Sequence, residues 1–161
     1  MLKPSALRAA EVYLPPGLLY ASAAPCVVST VLGSCVAVSL WSPRLGAGGM
    51  NHFILPRGAG PEASPRFGET ALALLLARLH ALGGYTLELQ ARIYGGASVV
   101  PSLQPPPGAL GPGEQNVAVA RRFSQEHCIP VVDEDVLGQC ARRVLFDVGT
   151  GQAHVVRLGM R

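Results

Sequence analysis

The chain has 161 residues, of which 49% are hydrophobic and only 14% are charged, and its formal net charge is +3. This length and composition favour a single packed domain over residues 1–161 and exclude an intrinsically disordered chain. The 13 basic residues are scattered and no aromatic ladder accompanies them, so a nucleic-acid-binding surface is not expected.

Residues 1–16 are predicted to form an irregular N-terminal arm, in which residues 11–14 could pair at a sheet edge. Glu11, Pro15 and Pro16 interrupt the apolar residues here, which argues against a signal peptide. No stretch approaches the ~20 apolar residues of a membrane-spanning helix. The four cysteines show no CxxC spacing, which indicates a reducing compartment and no zinc site. We therefore expect a cytoplasmic protein without a cofactor and without membrane insertion.

A β-hairpin is predicted in the next part of the chain. The β-branched residues 26–32 predict a buried strand, and the alternating residues 36–41 predict a half-buried one. A turn then leads into a returning strand at residues 48–55. This hairpin would bring Cys35 and His52 to corresponding ends of adjacent strands, each after a glycine-containing turn.

The second half of the chain alternates helices and strands. Leucines at i, i+3 and i+4 spacing predict a helix over residues 69–82, and a strand follows with Leu87, Leu89, Ala91 and Ile93 on one face. Four further elements are predicted: a Pro/Gly-rich loop at residues 99–113, a helix at 114–127, a strand at 129–132, and a hairpin of residues 143–148 and 153–158. The order favours an α/β or α+β layered sandwich of mixed or antiparallel sheets with two main helices.

Cys35 and His52 are the parts of a thiol nucleophile and its base. Gly33 and Ser34 leave room for a substrate carbonyl beside the backbone, whose N–H groups could stabilise an oxyanion. Asn51 is a further candidate for the substrate-binding site, since a polar residue in an apolar strand is costly unless it is used. The competing interpretation is that Cys35 and His52 are ordinary core residues of the hairpin.

A third residue commonly orients the histidine of such a pair. Ser29 and Thr30 are the candidates, and only one of them can face the site because neighbouring strand residues point to opposite faces. The other cysteines are expected to be buried thiols and the other histidines surface or capping residues: Cys26, Cys128 and Cys140, and His80, His127 and His154.

Two segments carry a resemblance to a known family: residues 30–38, TVLGSCVAV, and residues 48–56, GGMNHFILP. They closely resemble the signatures of the CheD family, the chemoreceptor glutamine deamidases of bacterial chemotaxis. Further matches, at residues 91–97, at Asn116 and at residues 129–135 and 142–151, run in order along nearly the whole chain.

The resemblance implies a fold similar to that of the cytotoxic necrotizing factor deamidases and an amidohydrolase activity, that of a protein-glutamine glutaminase. Receptor glutamines would become glutamates, with Cys35 as nucleophile, His52 as proton acceptor and ammonia as leaving group. In some members receptor methyl esters are hydrolysed as well. The family's third catalytic residue is a threonine six positions before the cysteine. Ser29 holds that position here, so the resemblance favours Ser29 and leaves Thr30 as the alternative.

The resemblance also implies two partners, namely the cytoplasmic domains of methyl-accepting chemoreceptors and a CheC-type phosphatase, and a monomeric state. The alternative function is a module that mainly binds receptors or CheC, with weak or no catalysis. Serine at position 29 favours this alternative, whereas the retained Cys35 and His52 argue against it. A general cysteine peptidase is disfavoured because no substrate-cleft signature is present.

Overall fold

Two mixed β-sheets pack face to face, and two helices cover the outer face of the larger sheet. The structure is a computed structural model that describes residues 10–58, 64–100 and 104–159. The smaller sheet has the order β1-β3-β8-β9, formed by β1 Ala10–Tyr13, β3 Cys26–Leu32, β8 Arg142–Asp147 and β9 Ala153–Arg157. The larger sheet has the order β2-β5-β4-β6-β7, formed by β2 Leu19–Ser22, β5 Ala47–Asn51, β4 Val36–Ser42, β6 Gln90–Gly95 and β7 Val131–Val136. The helices are α1 Gly68–Ala81 and α2 Pro112–Glu126, and a 3₁₀ turn at Thr86–Glu88 precedes β6. The predicted layered α+β fold with two main helices is confirmed.

Strand β4 is buried on both faces and separates two hydrophobic cores. Val36, Val38 and Leu40 pack against the helices, whereas Ala37 packs in the core between the two sheets. Because alternate residues of a strand point to opposite faces, a strand covered on both sides has a nearly continuous apolar sequence. The β4 sequence VAVSLWS fits this requirement, and Cys35, directly before it, packs against the core between the sheets.

Helix α1 holds the helix layer on the larger sheet through one leucine stripe. Leu72, Leu75 and Leu79 are completely buried in the core between α1 and the sheet. Burying each leucine side chain contributes roughly 1.5–3 kcal/mol to folding. The helix ends before Gly83, which adopts the left-handed conformation (φ +99°) that glycine accepts at a helix C-terminus.

Several predicted elements are confirmed within two residues of their bounds, namely β3, β4, both helices and the terminal hairpin of β8 and β9. Strand β1 lies inside the predicted irregular arm and pairs in parallel with β3 at the sheet edge. Strand β2, at the edge of the larger sheet, was not predicted, because its four half-buried residues show no alternation.

Three predicted strands need correction. Leu87 lies in the 3₁₀ turn and is 84% exposed, so the strand predicted from residue 87 begins only at Gln90. The turn forms because the Glu88 carboxylate accepts hydrogen bonds from Arg44 and from the Tyr85 N–H, contacts that periodicity does not reveal. The strand predicted at residues 129–132 is β7, which begins two residues later, at Val131. The returning strand predicted at residues 48–55 is β5, which ends at Asn51.

The remaining cysteines are only partly as expected. Cys26 is buried, but Cys128 is exposed and Cys140 is partly exposed, so the predicted burial of these two thiols is wrong. Cys128 has a positive φ of 55° directly after α2, in a surface turn that local periodicity does not reveal. The other histidines are at the surface or cap a helix, as predicted: His80 and His154 are exposed, and His127 is the C-cap of α2.

Candidate active site

Cys35 and His52 lie on the same face of the larger sheet, the face that packs against the smaller sheet. The Val36 N–H donates to the Phe53 carbonyl (3.1 Å), and the Phe53 N–H donates to the Val36 carbonyl (2.9 Å). In this register Cys35 lies opposite Ile54, so His52 is its diagonal neighbour. Diagonal neighbours across antiparallel strands are about 7–8 Å apart at the backbone and share a face. The thiol and the imidazole therefore share the face between the sheets, one diagonal position apart.

Thr30 reaches His52 from the smaller sheet and determines which ring nitrogen carries the proton. Its Oγ1 lies 2.7 Å from His52 Nδ1 and 2.7 Å from the Leu14 carbonyl oxygen. Because a carbonyl can only accept, the single hydroxyl proton of Thr30 goes to Leu14, and Oγ1 accepts from Nδ1–H. Neutral His52 therefore keeps a lone pair on Nε2, which is buried and has no hydrogen-bond partner among the described residues. This nitrogen is free to accept a proton.

Ser29 lies on the other face of β3, so the preference for Ser29 over Thr30 is corrected. Val28 and Leu32, which alternate with Thr30, pack in the core between the sheets, and the Ser29 side chain therefore points away from that core. Only the backbone of Ser29 supports the site: its carbonyl accepts a hydrogen bond from the Leu14 N–H at 2.7 Å. The structure thus brings Thr30, and not Ser29, to the imidazole.

Burial keeps both reacting groups uncharged at neutral pH. Desolvation lowers the pKa of His52 to about 4, and the nearby Leu14 carbonyl offsets this only in part. Desolvation likewise raises the pKa of the Cys35 thiol, while the Cys35 N–H acts in the opposite direction. The pair therefore rests as a thiol and a neutral imidazole, and the proton can move to His52 as the sulfur attacks.

The turn between β3 and β4, residues 33–35, is here called the nucleophile turn. The Gly33 carbonyl accepts from the Ala97 N–H and the Cys35 carbonyl accepts from the Gly96 N–H, both at 2.9 Å. In contrast, the N–H groups of Gly33, Ser34 and Cys35 donate to no acceptor within residues 10–58, 64–100 and 104–159. Unpaired N–H groups beside a nucleophile can stabilise an oxyanion, which is the role that the sequence predicts for Gly33 and Ser34.

Asn51 does not face the thiol. It is completely buried, and its Oδ1 accepts a hydrogen bond from the Val38 N–H at 2.9 Å. This contact replaces a ladder hydrogen bond between β4 and β5 at the point where β5 ends. The predicted role of Asn51 in substrate binding is therefore corrected to a structural one.

Asn116 of α2, one of the residues that match the CheD family, contacts the site, although the sequence assigned it no role there. Its Nδ2 donates to the Ser34 carbonyl (3.0 Å) and to the Ile54 carbonyl (2.9 Å). The available signal was a polar residue on an apolar helix face, since Asn116, Ala120 and Phe123 follow i, i+4, i+7 spacing and all are buried.

A cavity of about 210 Å³ adjoins Ser34, and we call it the Ser34 cavity. Its walls are formed by residues 96–100, by Gln104 and Pro105, by residues 111–114 at the start of α2, and by Leu137 and Gly138. Among the described residues, Glu114 is the one charged lining residue. A separate groove of about 420 Å³ runs between α1 and α2. Within the described ranges, no three His, Cys, Asp or Glu side chains are grouped as in a metal site. None of the described helices is both long and apolar enough to cross a bilayer.

Comparison with known sequences identifies the family. A family model described as CheD chemotactic sensory transduction matches residues 54–157, which is more than half of the chain. A protein of Anaeromyxobacter dehalogenans, named probable chemoreceptor glutamine deamidase CheD 1, is 42% identical over 92% of this chain and 85% of its own length. The chain belongs to the CheD family. This confirms the resemblance carried by residues 30–38 and 48–56.

Two further CheD relatives match nearly as much of the chain. Both are named probable chemoreceptor glutamine deamidase CheD. The protein of Rhodospirillum rubrum is 42% identical over 89% of this chain and 80% of its own length. The protein of Trichlorobacter lovleyi is 40% identical over 91% of this chain and 88% of its own length. The family-model match begins after His52. The match to the Anaeromyxobacter protein leaves only about 8% of this chain outside, so it includes residues 29–52.

The fold is also similar to a solved structure of another protein. The crystal structure of Bacillus licheniformis hypothetical protein YfiH matches 74% of this chain with a TM-score of 0.50 and 14% sequence identity. This chain spans about half of that one, at 51%. At this identity the likeness shows a shared fold alone.

Proposed function

We propose that this protein hydrolyses selected glutamine side chains on the cytoplasmic domains of chemoreceptors to glutamate and releases ammonia. The substrate class is supported by the names of the CheD relatives, which are probable chemoreceptor glutamine deamidases. The observation that carries the proposal is the 2.7 Å contact between Thr30 and His52, because it leaves Nε2 as a free base on the face of Cys35. Such an enzyme is an amidohydrolase, specifically a protein-glutamine glutaminase.

The first half of the proposed reaction forms a thioester. His52 Nε2 takes the thiol proton while Cys35 Sγ attacks the carboxamide carbon, so that a C–S bond forms and the carbonyl oxygen becomes an oxyanion. The free N–H groups of the nucleophile turn stabilise this oxyanion. As the oxyanion collapses, the C–N bond breaks, His52 returns its proton to the leaving nitrogen, and ammonia departs.

The second half releases glutamate. Neutral His52 takes a proton from water as the water oxygen attacks the thioester carbon. The C–S bond then breaks, and the proton held on His52 returns to the Cys35 sulfur. Thr30 holds the imidazole in one tautomer throughout, because it accepts from Nδ1–H in both the neutral and the protonated state of the ring.

The binding-module alternative loses the feature that favoured it. That alternative depended on serine at position 29 weakening catalysis, whereas the hydroxyl in contact with His52 belongs to Thr30. Binding to a CheC-type phosphatase and a monomeric state are proposed on the family resemblance alone. Receptor domains of this kind are cytoplasmic, so the proposed reaction takes place in the cytoplasm.

Mass spectrometry of a purified receptor cytoplasmic fragment tests the proposal. The fragment is incubated with the wild-type protein, with Cys35→Ala and with Cys128→Ala, and peptide mapping identifies glutamines converted to glutamates. We expect conversion by the wild type and by Cys128→Ala, whose altered thiol is exposed and lies outside the site, and none by Cys35→Ala. Absence of conversion by the wild type, on a fragment shown to bind it, would refute the enzyme and favour the binding module.

A further inference from the structure

Asn116 hydrogen-bonds the middle carbonyl of the nucleophile turn, that of Ser34. The carbonyls of Gly33 and Cys35 accept backbone hydrogen bonds, and the carbonyl between them, that of Ser34, accepts from Asn116 Nδ2 at 3.0 Å. All three carbonyls of the turn are therefore occupied, while its three N–H groups are unpaired among the described residues. Asn116 is the one side chain in this set, and it comes from α2, in a different layer of the fold.

The planarity of the peptide bond links Asn116 to the nitrogen of the nucleophile. The Ser34 carbonyl and the Cys35 N–H are the two ends of one trans peptide unit and point in opposite directions. A donor that fixes the carbonyl therefore also fixes the direction of the Cys35 N–H. This N–H belongs to the nucleophilic residue itself and donates to no other group among the described residues. It is thus available to a carbonyl oxygen that develops negative charge as the sulfur attacks.

The same amide group also holds the segment that directly follows His52. The second Nδ2 proton goes to the Ile54 carbonyl at 2.9 Å, and Ile54 lies opposite Cys35 in the register set by the Val36–Phe53 pair. Because both neighbours are carbonyls, the NH₂ group must face them, so the orientation of this buried amide is unambiguous. Its Oδ1 has no partner among the described residues, which means that the side chain serves the site only as a double donor.

We propose that Asn116 is a positioning residue that orients the Cys35 N–H as an oxyanion donor by holding the Ser34 and Ile54 carbonyls. The inference rests on the proposed thiol chemistry of Cys35, but not on the identity of the receptor substrate. Removing an oxyanion donor typically lowers a rate roughly 10²–10³-fold. Because loss of Asn116 would misdirect the donor rather than remove it, we expect about a 10- to 100-fold effect on reactions that pass through an oxyanion.

Two small probes separate this role from a general structural one. Acylation of Cys35 by p-nitrophenyl acetate passes through an oxyanion, whereas alkylation by iodoacetamide does not. Both rates are measured at Cys35 by peptide mass mapping for the wild type and for Asn116→Asp, which keeps the shape but cannot donate two hydrogen bonds. We expect the acylation rate to fall about 10- to 100-fold and the alkylation rate to change less than twofold.

Ser124→Ala is the matched control. Ser124 lies on the same helix, is as deeply buried, and loses one side-chain hydrogen bond, to the Ala120 carbonyl, when it is replaced. We expect both of its rates to equal those of the wild type. Equal falls of acylation and alkylation in Asn116→Asp would show a displaced thiol and overturn the inference, as would the absence of any fall.

A second variant and a hydrogen-exchange measurement complete the experiment. If Asn116→Asp does not fold, as judged by circular dichroism, Asn116→Ser provides a smaller side chain with one donor, and the same ratio of rates decides. In the wild-type protein, ¹⁵N NMR should find slow hydrogen exchange at Asn116 Nδ2, and exchange as fast as at an exposed amide would refute the two contacts. A wild type that acylates normally but deamidates no receptor would refute the proposed function and leave this inference standing.

Discussion

Replacing Thr30 with valine removes one hydroxyl from the site and keeps the shape of the side chain. In the folded protein the change leaves His52 Nδ1–H and the Leu14 carbonyl without their partner, at a position where Thr30 is 0% and His52 1% exposed. Each buried group left unpaired lowers the free energy of unfolding by roughly 1–3 kcal/mol.

The effect on catalysis follows from the charge that His52 carries during the reaction. When His52 holds the thiol proton, its bond to Thr30 becomes a hydrogen bond to a charged donor, which contributes roughly 1.5–3 kcal/mol. The neutral form of this bond, worth roughly 0.5–1.5 kcal/mol, is lost from the resting state as well. The barrier therefore rises by the difference, about 1–1.5 kcal/mol, and we expect kcat to fall about 5- to 13-fold in Thr30→Val.

The assay is the rate of glutamine-to-glutamate conversion in a receptor fragment, followed by mass spectrometry, with urea unfolding measured in parallel. Ser29→Ala is the control, because it removes the hydroxyl of an equally buried neighbour on the opposite face of β3. We expect its kcat to stay within twofold of the wild type. A large fall in Ser29→Ala combined with an unchanged Thr30→Val would refute the assignment of Thr30.

Three further predictions concern pH, thiol reactivity and backbone conformation. Burial lowers the pKa of His52 to about 4, below its ordinary 6.5, so the unfolded chain binds more protons in this range and stability is lost as pH falls. Urea unfolding should show about 2 kcal/mol less stability at pH 5 than at pH 7 from this group, a component absent in His52→Gln. Because burial raises the pKa of the Cys35 thiol, its alkylation by iodoacetamide should still be accelerating above pH 9, as followed by peptide mass mapping. Gly95→Ala should abolish activity, because φ at Gly95 is +106° and an added Cβ would collide with the Cys35 carbonyl oxygen. Gly108→Ala is the control, since φ there is +85° but no atom lies within 4 Å of the added Cβ. This control should lower the free energy of unfolding in urea by roughly 1–2 kcal/mol and leave activity unchanged.

Each of these predictions has a contrary outcome. An identical change in stability between pH 7 and 5 for the wild type and His52→Gln would show that His52 is not the buried neutral base described above. A plateau of Cys35 alkylation below pH 8 would indicate a preformed thiolate. Full activity of Gly95→Ala would show that the nucleophile turn tolerates displacement of its carbonyls.

The helices and strands that were predicted correctly are mostly those specified by patterns of neighbouring residues. The leucine spacing of α1 and the alternation in β4 are properties of neighbouring residues, and both elements lie within one residue of their predicted bounds. The prediction failed at residue 87, because the 3₁₀ turn there depends on the contact of Glu88 with Arg44, 44 residues away in the chain. The buried state expected for Cys128 failed for a similar reason, since helix periodicity does not determine the exposure of a turn that follows it.

The sequence by itself determined the family, the hairpin that carries Cys35 and His52, and the choice of those two residues as candidates. Turn residues and strand alternation act over short distances, so they predict which side chains share the end of a hairpin. Only the tertiary structure decided that Thr30 rather than Ser29 meets His52, because that depends on which face of β3 packs on the other sheet. It alone also placed Asn116 on the Ser34 carbonyl, since this hydrogen bond joins residues 82 positions apart and forms only when α2 docks on the larger sheet.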